Sequence, residues 1–184
     1  MKWWMILIIV GILIVFWAIS VYNKLIALRN RVKDQWAQID VQLKRRFDWI
    51  PNLVETVKGY TKHESETLEA VIKARNTYVS ATLPEDQMKA DGELTKAISK
   101  LFALTESYPE LKANENFNKL QDQLQRLEEE IAASRRYYNG VVNRYNTKTE
   151  LFPGNIIAGI FGFKRKPLFE VSNESERENV QVKF

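Results

Sequence analysis

The stretch Asp40-Val-Gln-Leu-Lys-Arg-Arg-Phe-Asp-Trp-Ile-Pro-Asn-Leu-Val-Glu-Thr-Val-Lys-Gly-Tyr-Thr-Lys-His-Glu64 decides between one long helix and two. Leu43 and Phe47 close an apolar stripe that starts at Leu25 and passes through Leu28, Val32, Trp36 and Ile39. Those steps of three and four are helical spacing. No Gly or Pro interrupts the chain between Tyr22 and Ile50, and then Pro51 does. Proline lacks a backbone donor and disfavours the α conformation in the residue before it. It also suits the first position of a new helix. Both a kink and a turn fit. An unbroken helix from Tyr22 to Thr82 would reach roughly 90 Å with no partner of matching length, so Pro51 is expected to be a structural turn between helix A and helix B.

Helix B carries Leu53, Val57, Tyr60, Leu68, Val71 and Tyr78 on one face, with Glu64 on the same stripe. Thr82-Leu-Pro-Glu85 has capping-box spacing with Pro near a helix start, which marks a third helix, C. Asp91-Gly92 dilutes its first half; the stripe is clear from Leu94 through Ile98, Leu101 and Leu104 to Tyr108, and Pro109 ends it. Asn114 is placed to cap helix D, and Glu115 suits the positive end of its dipole. Phe117, Leu120, Leu124, Leu127, Ile131, Ser134, Tyr138, Val141 and Tyr145 then alternate steps of three and four, a coiled-coil or bundle seam.

Upstream, Trp3 to Tyr22 is apolar apart from Gly11 and Ser20. About 20 such residues match the hydrocarbon core of a bilayer as a helix. Trp3 and Trp4 at one end, with Trp17 and Tyr22 at the other, suit the interfacial aromatic belts. A cleaved signal peptide is the competing reading, because Ala18-Ile19-Ser20 has small residues at peptidase spacing. Apolar length and an n-region of Lys2 alone favour an anchor. Lys24, Arg29, Arg31 and Lys33 follow the span, so the positive-inside rule puts a single-pass protein in the cell (inner) membrane with its large domain in the cytoplasm. A periplasmic domain is the alternative.

The totals narrow the chemistry. The chain has 184 residues, room for one domain and an anchor. It has no cysteine, which excludes disulfides, thiolate metal sites and a lipoprotein anchor. The net charge of +4 is spread among interspersed acids and bases, unlike a nucleic-acid stripe. His63-Glu64-Ser-Glu-Thr67 begins like a zinc-protease helix, but position 67 is Thr and the chain holds no other histidine. A di-iron bundle needs Glu-x-x-His on two helices and fails on the same count. Gly154, Gly159 and Gly162 lack the Lys-Ser/Thr of a phosphate loop. No catalytic, cofactor-binding or metal residue is assigned, and an enzyme is not expected. His63-Glu64 reads as a polar pair capping or bridging helices before a pH-sensitive contact. Arg45, Arg46 and Asp48 read as the closing charges of a helix corner before an anion site.

The central stretch also carries a resemblance. Lys44-Arg-Arg-x-Asp48, then Ile50-Pro-Asn-Leu-Val-Glu-Thr-Val-Lys-Gly-Tyr60 and His63-Glu64, resembles the signature of the LemA family of bacterial membrane proteins. The likeness extends to Tyr22-Asn23, Leu28-Arg29-Asn30, Ala113-Asn114-Glu115, Tyr138-Asn139, Tyr145-Asn146 and Phe152-Pro153. It implies architecture more than activity. Physically, a Tyr on the seam buries its ring and needs a hydroxyl partner, which a neighbouring Asn could supply.

The expected fold is all-α: an N-terminal transmembrane helix continuing into an antiparallel four-helix bundle, with a short C-terminal apolar segment. The divisions are a transmembrane anchor at 1–22, the LemA-like bundle at 23–152, an apolar and basic segment at 153–171 and a polar tail at 172–184. Helix parity returns the end of helix D to Tyr22. It thereby delivers Ile157, Phe161 and Phe163, followed by Lys164, Arg165 and Lys166, to the bilayer surface. Folding back on the bundle, or contact between subunits, is the other role open to that segment. The expected partners are the lipid bilayer, further copies of the chain and a membrane-protein partner, with no nucleic acid. Two functions fit: a structural, oligomeric scaffold at the membrane surface, or an adaptor presenting the bundle to an envelope-stress membrane protease or other membrane partner.

Overall fold

The computed structural model describes residues 3–61 and 64–169, and all of their regular elements are helices. In order these are α1 (Trp3–Lys58), α2 (Ser65–Ser80), α3 (Pro84–Thr105), α4 (Pro109–Lys112), α5 (Glu115–Glu150) and α6 (Gly154–Phe161). The His63 contact and the polar tail from Ser172 lie outside the described residues.

The turn expected at Pro51 is corrected. α1 passes through Pro51 without a break and ends at Lys58, 56 residues in all, or about 84 Å. Two features make the proline tolerable. Its ring is exposed, while the buried stripe Phe47, Ile50, Leu53 and Val57 keeps its three- and four-residue steps across it. The carbonyl that a proline strands lies four residues earlier, at Phe47. That oxygen accepts a hydrogen bond from Arg75 Nε at 3.3 Å, so a neighbouring helix replaces the missing donor. The chain instead turns after Lys58, where Gly59 N–H bonds to Glu55 O and the Tyr60 and Thr61 N–H groups to Val57 O.

Helix B therefore shrinks to α2, with Leu68, Val71 and Tyr78 buried. α3 starts where expected, at Pro84, but the capping box does not form: Leu83 is the N-cap and makes no side-chain bond. α5 starts as read, with Asn114 Oδ1 accepting the Phe117 N–H at 2.9 Å. Phe117, Leu124, Ile131, Tyr138 and Tyr145, spaced by seven, are all buried.

The described residues divide into two compact units, one of residues 3–38 with 134–168, the other of the described residues within 39–133 with Phe169. The second unit is organised around Arg46. Its side chain is 0% exposed and Asp91 is 1% exposed. Arg46 donates to Asp91 Oδ1 at 2.9 Å and to Thr95 Oγ1 at 3.0 Å, and its Nε lies 2.8 Å from Glu128 Oε1. One guanidinium thus ties together α1, α3 and α5, because a buried charge is tolerable only when paired and hydrogen-bonded. Asp91, which weakened the sequence pattern of helix C, is a core residue for this reason. Arg45 and Asp48, beside it in sequence, are exposed. Tyr78 completes the set: its ring stacks 4.0 Å from Phe47 and its hydroxyl donates to Asp40 Oδ1 at 3.2 Å. Burial first, then the charges of Asp40 and Asp91, push the Tyr78 hydroxyl far above the usual tyrosine range.

Candidate functional site

The first unit contains the segment that sequence reading placed at the membrane. From Trp3 to Trp17 every α1 side chain is exposed, and burial begins at Ala18 and Val21. This part of α1 is long and apolar enough to cross a membrane. Trp3, Trp4 and Trp17 are exposed along it. At its far end, Val21 and Leu25 form a core with Ile157 and Ala158 of α6, flanked by Ala18, Tyr22 and Phe163.

Local chemistry explains why α6 sits there. Gly154 opens it at a point where a Cβ would collide with the Lys148 carbonyl, so only glycine allows the chain this close to the end of α5. Gly162 closes it in the left-handed conformation, φ 68°, which turns the chain out of the helix. Tyr22 receives the aromatic rings that follow, 4.7 Å from Phe161 and 5.7 Å from Phe163. The Arg29 guanidinium lies over the Phe163 ring at 5.3 Å, within cation–π range.

The next residues, 163–169, form no regular element, and their backbone is held at three points. Tyr145 OH donates to Lys164 O at 3.0 Å, and Tyr138 OH to Pro167 O at 3.2 Å. Between them the Asn146 amide both donates to Lys166 O and accepts from Lys166 N, each at 2.9 Å. The expectation that a neighbouring Asn serves the Tyr hydroxyl is thereby corrected. The Tyr and Asn side chains of α5 instead act side by side as a clamp, giving an irregular segment the hydrogen bonds a strand partner would supply. Burial pushes the Tyr138 hydroxyl up to about 12. Burial also raises Tyr145, with the Arg29 charge opposing it. Trp36 meets Tyr138 edge-on at 5.8 Å.

The sequence-selected residues thus separate. Ile157 faces inward and is buried, while Ile156, Ile160 and Phe161 face outward. Of the basic triplet, Lys164 is exposed, Arg165 Nε pairs with Glu150 Oε1 at 2.9 Å, and Lys166 is half-buried in the clamp. A cavity of about 410 Å³ in the same unit is lined by Arg31, Arg136 and Arg144 with Gln35 and Tyr137. Neither it nor the clamp was visible as a site in the sequence, since the cavity needs α1 and α5 side by side and the clamp needs the segment after α6 laid along α5. Among the described residues, no group of acids and histidines is arranged to hold a metal.

The LemA family profile matches residues 35–184, over four-fifths of the chain. The chain belongs to the LemA family. It is 27% identical over 164 residues to Protein LemA of Metamycoplasma hominis, a match covering 87% of this chain and 73% of that protein. It is 24% identical over 175 residues to Magnetosome protein MamQ 2 of Paramagnetospirillum magneticum, covering 81% of this chain and 64% of that protein. It is 23% identical over 174 residues to Magnetosome protein MamQ of Magnetospirillum gryphiswaldense, covering 80% and 64%. The chain therefore spans less than two thirds of the magnetosome relatives. The family match takes in Arg46, Pro51, the Tyr–Asn clamp and α6, and begins beyond the apolar start of α1.

Proposed function

We propose that the chain is a single-pass membrane protein whose antiparallel helical bundle serves as a structural scaffold at the membrane surface, assembling through copies of itself. The observation that carries this reading is the continuity of α1. Its exposed apolar start and the residues from Val21 that pack against α6 belong to one helix, so a bilayer that holds the start holds those residues next to it. The polar groups of the interior support it: Arg46, Asp91, Tyr138, Tyr145 and Asn146 are engaged in holding elements together. Lys24, Arg29, Arg31 and Lys33 favour a cytoplasmic bundle at the inner membrane. Gentle detergent extraction followed by mass measurement tests the scaffold. Large homo-oligomers are expected, and a monomer that stays small without an added partner counts against it.

A second reading, an adaptor for a membrane-protein partner, has its own observation. A cavity of about 490 Å³ between α1 and α2 is lined by Ile50, Pro51, Val54, Leu68 and Ile72, with Glu55, Lys58 and Glu69 at its rim. Grooves of this kind accept an amphipathic helix. Identification of a stoichiometric co-purifying membrane protein, lost on Ile72→Glu, favours the adaptor over the scaffold.

A further inference from the structure

We propose that α6 is a second membrane contact, laying Ile156, Ile160 and Phe161 into the headgroup–acyl boundary of the bilayer that α1 crosses. The proposal rests on the reading of α1 as a membrane span and adds to it a fixed lipid-facing surface.

Three observations carry it. The first is position. α6 packs through Ile157 and Ala158 against Ala18, Val21 and Leu25, where α1 changes from wholly exposed apolar residues to packed ones. If the exposed part lies in hydrocarbon, α6 sits at the level where hydrocarbon ends. The Tyr22–Phe161 ring contact of 4.7 Å makes the two surfaces continuous.

The second is composition. α6 reads Gly-Asn-Ile-Ile-Ala-Gly-Ile-Phe, with no charged residue. Ile156 is 50% exposed, Ile160 69% and Phe161 57%, and Leu151 and Phe152 just before them are exposed as well. A helix of eight residues spans about 12 Å and cannot cross a bilayer, but it can lie in its surface. Lys164, just past the end of α6, and Lys24, next to Leu25 in sequence, are both exposed and suit anionic headgroups.

The third is rigidity. At its start α6 runs so close to the Lys148 carbonyl that a Cβ on Gly154 would collide with it, which leaves the helix little room to shift toward α5. Past its end it is pinned by the Tyr138, Tyr145 and Asn146 bonds to residues 164–167. Its inner face is already occupied, so its outer face is held outward. Lipid, present wherever α1 is inserted, is the occupant that this geometry selects over a second copy of the chain.

The chain contains no cysteine, so single cysteines can be introduced and labelled with bimane in the full-length protein. The protein is reconstituted in phosphatidylcholine–phosphatidylglycerol vesicles. Labels at Ile160→Cys, at Phe16→Cys within α1, and at the exposed Glu129→Cys are compared for quenching by bromolipids and by aqueous iodide. Strong bromolipid quenching at Ile160 and Phe16, with iodide quenching confined to Glu129, is the expected result. Bromolipid quenching at Phe16 with an iodide-quenched Ile160 overturns the proposal and leaves α1 as a span. No bromolipid quenching at Phe16 sinks the α1 reading and this proposal with it. An Ile160 label shielded from both quenchers, together with disulfide-linked dimers of Ile160→Cys, makes the surface a contact between copies and also overturns it. As a second variant, Ile160→Glu is expected to lower bromolipid quenching at Ile156→Cys to the Glu129 level at unchanged helicity. Undiminished quenching there counts against lipid docking.

Discussion

The two units bury polar groups by opposite means. The unit of residues 39–133 encloses a charge: the Arg46 guanidinium with Asp91, Glu128 and Thr95. The unit of residues 134–168 with the start of α1 relies on neutral groups for its strap, two tyrosine hydroxyls and an amide set against the backbone of a segment without regular structure. A charge must be fully compensated or it is strongly destabilising. A neutral hydrogen bond contributes modestly and costs only its own desolvation when broken. The first arrangement therefore locks helices to one another. The second holds a strap, the residues after α6, that needs placing more than locking.

The sharpest way to break this comparison is to remove one ion. Asp91→Ala leaves Arg46 buried beside a partly exposed Glu128, and about 3–5 kcal/mol of stability is expected to be lost. Thermal or denaturant unfolding of the full chain in mild detergent, followed by circular dichroism, measures it. A loss below that of Glu128→Ala means that Asp91 is not the principal counter-ion.

The apolar seam is next. Ile131 is wholly buried, and Ile131→Ala is expected to cost about 2–5 kcal/mol by the same measurement. Glu129, exposed on the same helix, is expected to tolerate Ala within about 0.5 kcal/mol. Equal effects at both positions contradict the buried face of α5.

Asn146→Ala removes both bonds to Lys166 and is expected to cost about 1–3 kcal/mol. Hydrogen exchange at residues 163–169 sharpens the test: faster exchange there, with unit 39–133 unchanged, is the outcome that fits a local strap.

The smallest effect at neutral pH comes from Tyr138, whose hydroxyl burial pushes up from 10.0 to about 12. The folded state holds that proton more tightly than the unfolded chain does. Its contribution is therefore complete below about pH 10 and is lost as pH rises from there toward 12. A melting temperature that falls over that window in the wild type, and falls less in Tyr138→Phe, is expected. Identical pH profiles for the two proteins contradict it.

Legibility differed along the chain for physical reasons. α5 could be read from Asn114 to Tyr145, because a cap and a seam of repeated apolar steps are local properties. The apolar start of α1 could be read from length alone. Pro51 misled because proline's cost in a helix is local, while its remedy, the Arg75 donor to the Phe47 carbonyl, comes from another helix. The unbroken stripe of Phe47, Ile50, Leu53 and Val57 was the sequence signal that could have corrected it. Asp91 was misjudged likewise, since a carboxylate lowers helical patterning wherever its cation lies.

By itself, then, the sequence determined an all-helical chain, the membrane-length apolar start, the buried face of α5 and membership of a family signature. All of these depend on periodicity, length or residue order. Tertiary structure alone decided that α1 runs to Lys58 and that Arg46 is a core residue. It also decided that Tyr138, Tyr145 and Asn146 clamp residues 164–167, and that α6 turns Ile157 inward and Ile160 outward. Each of these depends on which groups from distant parts of the chain meet. A hydrogen bond or ion pair between them satisfies a demand that local sequence can pose but cannot answer.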